Sequence, residues 1–330
     1  MDGDGSCAKL GLSFDPESLA HDLECLKKVQ RLRQPGSYHD GEWVGISLRS
    51  AGGKDSARPS LPSRAPFRDC SVLQGTPYFR KVLRTLEVPK LCVRLLFLPP
   101  GGVIREHADD IFGFWHGLLR LHLPIVTHRD VRFTIGGRQC DMAPGELWYG
   151  DFSRKHSVVN GSPVTRVHMV IDVLINDFVL NLFPAGFVDS HIGDAVTRHR
   201  PPLAVRGREL QRYACDFAVP AELVSMFAPV LRFDASESVR SLVDEATLTG
   251  VLARIRVVDG RLYLAACGRR LARVVPVAQD TCALGQWPLG VMLHFERSKD
   301  RVRGLNLELR MQNGAGQNRR NVIPLPIVES

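Results

Sequence analysis

The chain has 330 residues, is 44% hydrophobic and 24% charged, and carries a formal net charge of +8. This composition excludes a disordered, fibrous or membrane-bundle protein and leaves a globular chain able to bury a substantial core, naturally divided into one larger domain and a smaller one. The Arg and Lys residues are spread along the whole chain with no dense basic run and no zinc-finger or RNP signature, so no nucleic-acid partner is expected; a solvated basic surface or a pocket for an anion explains the charge.

In chain order, the N-terminus has neither a basic nor an apolar leader region, so it does not read as a secretory signal. Asp15-Pro16-Glu17 is a helix start, with an N-cap followed by proline at the first helical position. Leu19, Leu23, Leu26, Val29 and Leu32 then recur at helical spacing, which predicts an amphipathic helix over 16–33. Trp43 to Leu48 reads as a strand. Residues 49–67, rich in Ser, Gly, Pro and Arg, read as a long loop of the kind that forms lids.

From Leu91 to about Ile175 short β-type runs alternate with Gly, Pro and Asp turns: LCVRLLFL, LLRLHLPIV, VRFTIGG, ELWYGD, HSVVN and TRVHMVIDV. Strands at this spacing suggest a barrel or a jelly-roll sandwich. The longest apolar run, 167–188, is interrupted by Asp172, Asn176, Asp177 and Asn181, so no membrane span or membrane partner is expected and the chain is placed in the cytoplasm. Residues 177–245 look helical and irregular, with proline breaks. From Leu248 the β pattern returns and predicts a small separate antiparallel barrel or sandwich.

The division that follows is 1–190 as the main β domain with N-terminal helices, 191–247 as a helical connecting region and 248–330 as a small β-rich domain. Eight cysteines carry no C-x-x-C pair and no zinc-ligand spacing, and a reducing compartment would keep them as thiols. Asn160-Gly161-Ser162 matches a glycosylation sequon and reads as a turn.

The chemistry gathers in the first β region. In Arg105-Glu106-His107-Ala108-Asp109 an imidazole and a carboxylate two residues apart on an extended chain point to one side, so His107 and Asp109 can grip one ion. The triplet alone is weak and also fits a solvated loop. His156 supplies the third ligand of a facial His, carboxylate, His set, which leaves three positions of an octahedral metal open and marks non-haem iron(II) oxygenases. A hairpin centred near Gly161 would set His156 opposite Arg166, so that both enter one cavity. A buried arginine beside a metal site needs an anion. A bidentate carboxylate of 2-oxoglutarate would supply it, a structural ion pair being the alternative.

The segment from about Trp43 to Asp172, above all LPPGGVIREHAD, RLHLPIV, GELWYGD and KHSVVNGSPVTRVHMVID, resembles the aspartyl/asparaginyl β-hydroxylase family of 2-oxoglutarate oxygenases, and within it the bacterial members that act on free amino acids. The resemblance implies a mainly β fold with flanking helices, namely a double-stranded β-helix (jelly-roll, cupin-like) core to which the small C-terminal antiparallel β domain is added. It implies iron(II) at His107, Asp109 and His156, 2-oxoglutarate at Arg166, and further cosubstrate contacts from Arg120 and His122. The implied reaction uses dioxygen and 2-oxoglutarate to hydroxylate an unactivated C–H, releasing succinate and carbon dioxide. Asp109 favours hydroxylation over halogenation, because related halogenases replace this carboxylate with a small residue.

For the substrate, an amino acid or an amino-acid-derived natural product, Arg94 is the better candidate contact, since a charge in an otherwise apolar strand requires a partner. Trp115 and the inward-facing His168 are further candidates, with ordinary packing as the bland alternative. A peptidyl or carrier-bound residue hydroxylase and a non-catalytic metal-binding β-barrel that senses a ligand remain open. So does the role of the C-terminal domain, for which packing, homodimerisation and substrate presentation all fit.

Overall fold

The computed structural model describes residues 4–40, 42–56, 65–109, 111–193, 196–232, 235–285, 290–299, 301–312 and 318–328. The chain forms two compact units, one of residues 1–60 and 65–199, the other chiefly of residues 200–330.

The first unit begins with β1 (Cys7–Ser13), α1 (Pro16–Cys25), β2 (Leu32–Arg33), β3 (Val44–Ala51), β4 (Phe67–Asp69) and α2 (Pro77–Thr85). It continues through β5 (Lys90–Leu98), β6 (Val103–His107), β7 (Leu118–Val126), β8 (Val131–Ile135), β9 (Arg138–Gln139), β10 (Glu146–Gly150), β11 (His156–Asn160) and β12 (Arg166–Leu174), and ends with the short helices α3 (Asp177–Leu180) and α4 (Phe187–His191). An eight-stranded sheet runs β1-β10-β7-β12-β5-β3-β2 with β4 beside β3, and a four-stranded sheet runs β6-β11-β8-β9. This is the mainly β, double-stranded β-helix architecture.

Strand periodicity gives the large sheet two unlike faces. Val167, Met169, Ile171 and Val173 of β12 share one face with Val93, Leu95, Leu119 and Leu121 of its neighbours and pack on Leu19 of α1 and on Phe79 and Val82 of α2. Burying each of these side chains contributes roughly 1.5–3 kcal/mol, which is what fixes the register. The alternate positions Arg166, His168, Val170 and Asp172 necessarily face the other way, Arg166 in register with Leu98, Val170 with Arg94, His168 with Pro124 and Asp172 with Arg120. That polar face fronts the small sheet, where Phe133 of β8 meets the His122 ring at 5.3 Å.

Several expectations are corrected. The first helix stops at Cys25, and Leu32 instead pairs with Gly45 at the sheet edge. Its start holds, for the Asp15 carboxylate accepts from Ser18 N at 2.7 Å. The loop 49–67 is strand at both ends, Ala51 pairing with Phe67, and its residues 57–64 lie outside the described residues. β1, unforeseen, pairs with β10.

No hairpin sets His156 against Arg166, because β11 and β12 lie in different sheets. The fully buried Asn160 is the reason. Its amide donates to the carbonyls of Leu98, Pro99 and Val164, tying the end of β11 to the end of β5 and sending the chain across the cleft. The sequon is thus a structural turn. Cys7 and Cys140 form a disulfide across 133 residues, contrary to the expectation that all cysteines are thiols. Spacing along the chain held no sign of it, since the bond depends on β1 lying beside β10.

The second unit contains β13 (Cys215–Val219), α5 (Ala221–Arg232), α6 (Glu237–Thr249), β14 (Val251–Val258), β15 (Arg261–Ala266), β16 (Arg269–Ala278) and β17 (Thr281–Gly285). It ends with β18 (Val291–Ser298), β19 (Arg301–Gln312), β20 (Asn318–Leu325) and β21 (Ile327–Val328). Residues 200–247, expected as a helical connector, instead supply this unit with β13, α5 and α6.

The antiparallel meander closes on itself. β20 pairs with β19, and β21, one proline later, pairs with β13 at the opposite edge. The interior is apolar, with Ile255, Leu262, Val274, Leu293 and Leu307 inward. Its void of about 70 Å³ is less than half of the ~150 Å³ that accepts a benzene, so the barrel is a packed core. Among the described residues no helix is long and apolar enough to cross a membrane.

Candidate functional site

Strand pairing brings the proposed ligands together. His107 closes β6, His156 opens β11, and the two are direct partners in the small sheet with ring centroids 4.2 Å apart. Asp109 follows on the chain leaving β6, its backbone N–H bonded to Phe152 O at 2.8 Å. One ligand atom from each of His107, Asp109 and His156 lies within 4.8 Å of the others, a spacing that fits one ion.

Both imidazoles are oriented by the backbone two residues earlier. Nδ1 of His107 lies 2.8 Å from Arg105 O, and Nδ1 of His156 lies 3.0 Å from Arg154 O. A carbonyl only accepts, so each Nδ1 carries the proton and each Nε2 keeps its lone pair for a metal. Burial, ahead of its other influences, holds the His156 imidazole down to about 4, which keeps it neutral. Tyr38 stacks on the His107 ring at 3.8 Å and 13°.

Behind Asp109 stands Arg120. Its Nη1 donates to Asp109 Oδ2 at 2.5 Å, while Nε and Nη2 reach the two oxygens of Asp172 at 2.8 and 3.2 Å. Burial works against the charge, but the Asp172 and Asp109 carboxylates outweigh it and raise the pKa of Arg120. The cosubstrate contact expected of Arg120 is therefore not what its geometry offers: all three of its guanidinium nitrogens already meet protein carboxylates.

Arg166 differs in kind. It is 2% exposed, no carboxylate lies within ion-pair reach among the described residues, and its Nε is buried without a partner. Burial alone lowers its pKa to about 9. Its guanidinium lies 5.1 Å over the Phe133 ring, and Nη2 is 2.8 Å from His168 Nδ1. His168 is in turn 3.2 Å from His122, which stacks on Phe152. Phe152 meets the His156 ring edge-on at 4.9 Å, so a chain of side-chain contacts joins the arginine to the triad. A buried cation without a carboxylate partner, joined by side-chain contacts to three convergent ligand atoms, has the chemistry to accept an anion.

His168, expected on the substrate side, belongs with Arg166. Arg94 sits on the polar face of the sheet, 6% exposed, with Nη1 bonded to Gln34 Oε1 at 2.9 Å. Trp115 lies half-buried in the turn before β7, and its carbonyl accepts from Thr197 Oγ1. Sequence reasoning missed Tyr38, Phe133, Phe152 and Asp172. The last was legible in part, since it shares the strand parity of Arg166 and His168.

Residues 17–175 match the model of the aspartyl/asparaginyl beta-hydroxylase family. The match covers a little under half of the chain. L-Proline cis-4-hydroxylase of Rhizobium meliloti (strain 1021) is 24% identical over 179 residues, 54% of this chain and 62% of that protein, so the chain spans less than two thirds of this relative's length. A prolyl-4-hydroxylase of Pseudomonas putida aligns over 52% of this chain and 93% of its own, at 11% identity and a TM-score of 0.33. An oxidoreductase of the 2OG-Fe(II) oxygenase family from Burkholderia pseudomallei aligns over 49% of this chain and 82% of its own, at 13% identity and a TM-score of 0.33. Superpositions this loose carry no weight for the site. His107, Asp109, His156 and Arg166 all fall inside the matched segment.

Proposed function

We propose that the first unit is an iron(II)- and 2-oxoglutarate-dependent dioxygenase that hydroxylates an unactivated C–H of an amino acid or an amino-acid-derived small molecule, with release of succinate and carbon dioxide. His107 Nε2, Asp109 and His156 Nε2 hold the iron, and Arg166 receives the far carboxylate of 2-oxoglutarate. The observation that carries this reading is the Arg166 guanidinium, buried without a carboxylate partner on the same cleft as three convergent ligand atoms. The iron and 2-oxoglutarate together would supply the oxidation by dioxygen. The protein's part is to fix the imidazole tautomers, hold Asp109 in place and keep water from the closed end, where Phe133 and Phe152 form apolar walls.

An amino-acid substrate is supported by the similarity to L-proline cis-4-hydroxylase and by Arg94, a cation on the cleft face suited to a substrate carboxylate. Trp115 remains a candidate wall. Cytoplasmic action belongs to the same proposal; the Cys7–Cys140 disulfide is the observation that speaks against it. The test is anaerobic reconstitution with iron(II) and 2-oxoglutarate, followed by an amino-acid screen scored by succinate release. Absence of succinate and of any iron-dependent 2-oxoglutarate binding would overturn the proposal.

A further inference from the structure

We infer that His168, through the single nitrogen Nδ1, sets the direction of its hydrogen bonds with Arg166 and His122 and so favours a carboxylate as the ligand beside Arg166. The inference rests on the cosubstrate reading of Arg166 and goes on from it.

Arginine has donors and no acceptor. Arg166 Nη2, 2.8 Å from His168 Nδ1, must therefore donate, and that Nδ1 must be bare. The same bare nitrogen lies 3.2 Å from His122 Nδ1, a distance that is a hydrogen bond only if His122 donates from Nδ1. Burial, reinforced by the neighbouring Arg166 charge, pushes both imidazoles well below their ordinary pKa, so each ring carries one proton. The two tautomers are then opposite: His168 is protonated at Nε2, and His122 is bare at Nε2.

Arg166 Nε, His168 Nε2 and His122 Nε2 are all buried without a partner among the described residues. The closed end thus presents two unanswered donors, on Arg166 and His168, and one unanswered acceptor, on His122. A carboxylate oxygen can accept from either donor. Brought to His122 Nε2 instead, it would set a negative oxygen against a lone pair. The terminal carboxylate is accordingly directed to the Arg166 and His168 side, and a ligand ending in an amide or a hydroxyl loses a charge-assisted contact.

The test has two independent arms. Long-range ¹⁵N–¹H NMR of the ligand-free, metal-free protein reads the tautomers directly, with His168→Asn and His122→Asn assigning the signals. The expected result is protonated Nε2 on His168 and protonated Nδ1 on His122, and a proton on His168 Nδ1 would overturn the inference. Calorimetric titration of the zinc-loaded protein with 2-oxoglutarate forms the second arm. His168→Leu is expected to weaken binding roughly tenfold, the usual scale of one well-placed hydrogen bond to a charged group. His168→Asn, whose Oδ1 can stand where Nδ1 stands and accept from Arg166, is expected to recover most of the loss. Equal affinity in the parent and His168→Leu would overturn the positioning role. The tautomer arm needs no cosubstrate, so reversed tautomers with intact 2-oxoglutarate binding defeat this inference alone, and the expected tautomers with no binding defeat the cosubstrate reading alone.

Discussion

Arg120 clamps Asp109. Its Nη1 takes Oδ2 of that carboxylate while Nε and Nη2 grip Asp172, and its guanidinium lies 4.0 Å over the Phe112 ring. One oxygen of Asp109 is left for an ion, and the carboxylate cannot swing away on its exposed turn. Arg120→Gln releases Asp109 and also breaks the buried pair with Asp172. Losing one partner of such a pair costs on the order of 3–5 kcal/mol. We expect a lower melting temperature and metal affinity reduced at least about tenfold, the usual effect of losing a residue that orients a metal ligand. Manganese(II) titration with thermal melts checks this. Parent metal affinity in Arg120→Gln would show that Asp109 needs no brace.

For the ligands themselves, His107→Ala or His156→Ala should abolish iron-dependent turnover while the protein stays folded. His107 is only half-buried and His156 is a buried polar side chain set against Phe152, so the main loss in each variant is a donor atom for the ion. Circular dichroism, a metal titration and succinate release separate the two effects. Asp109→Gly should suppress hydroxylation and open a coordination position. Parent-like hydroxylation by that variant would remove the carboxylate from the ligand set.

The strands that carry the site were legible because period-two alternation and turn residues are local signals, and 156–160 was read to the residue. The triad was legible for the same reason, two of its members lying two residues apart on extended chain. What escaped depends on contacts distant in sequence. Asn160 is polar and ends a strand, which suggests a turn, yet its three bonds to carbonyls of the β5 end and of Val164 are what reveal that the chain changes sheets. The role of Arg120 was hidden likewise, because its partner Asp172 lies on another strand and is found only through the pairing of β7 with β12. In the second unit alternation announced the strands, but closure rests on the five-residue β13, too short to stand out among helices.

The second unit should show an acid-sensitive stability of its own. Glu308 is 3% exposed on β19 and is surrounded by His294 of β18, Arg310 of its own strand and Arg320 of β20. Burial raises its pKa, but hydrogen bonds from Arg320, Arg310 and His294 outweigh that and hold it at about 2. A carboxyl depressed in the folded state contributes stability above its ordinary pKa and loses it as the pH falls through the folded value. The gap in melting temperature between the parent and Glu308→Gln should therefore be widest above about pH 4.5 and close toward pH 2. A gap independent of pH over that window would mean that Glu308 acts through packing alone.

The sharpest expectation concerns the anchor. If Arg166 pairs with the distal carboxylate of 2-oxoglutarate, Arg166→Ala removes a charge-assisted contact in a dry pocket walled by Phe133, and losing such a partner costs on the order of 2–5 kcal/mol. Each 1.4 kcal/mol is about tenfold, so the apparent affinity for 2-oxoglutarate should fall by roughly thirty-fold or more. Metal binding should change little, because among the described residues His168, His122 and Phe152 stand between the guanidinium and His156. Arg166→Lys should recover part of the loss, keeping the charge without the planar fork. The alanine variant is expected to remain folded, since it relieves the burial of a cation that has no protein counter-ion among the described residues. Titration of the anaerobic iron(II) protein with 2-oxoglutarate, followed at the metal-to-ligand absorption band, measures the affinity directly. Unchanged affinity with iron bound would place the anchor elsewhere; the commitment of Arg120 to Asp109 and Asp172 would leave Arg94 as the next cation on that face of the sheet.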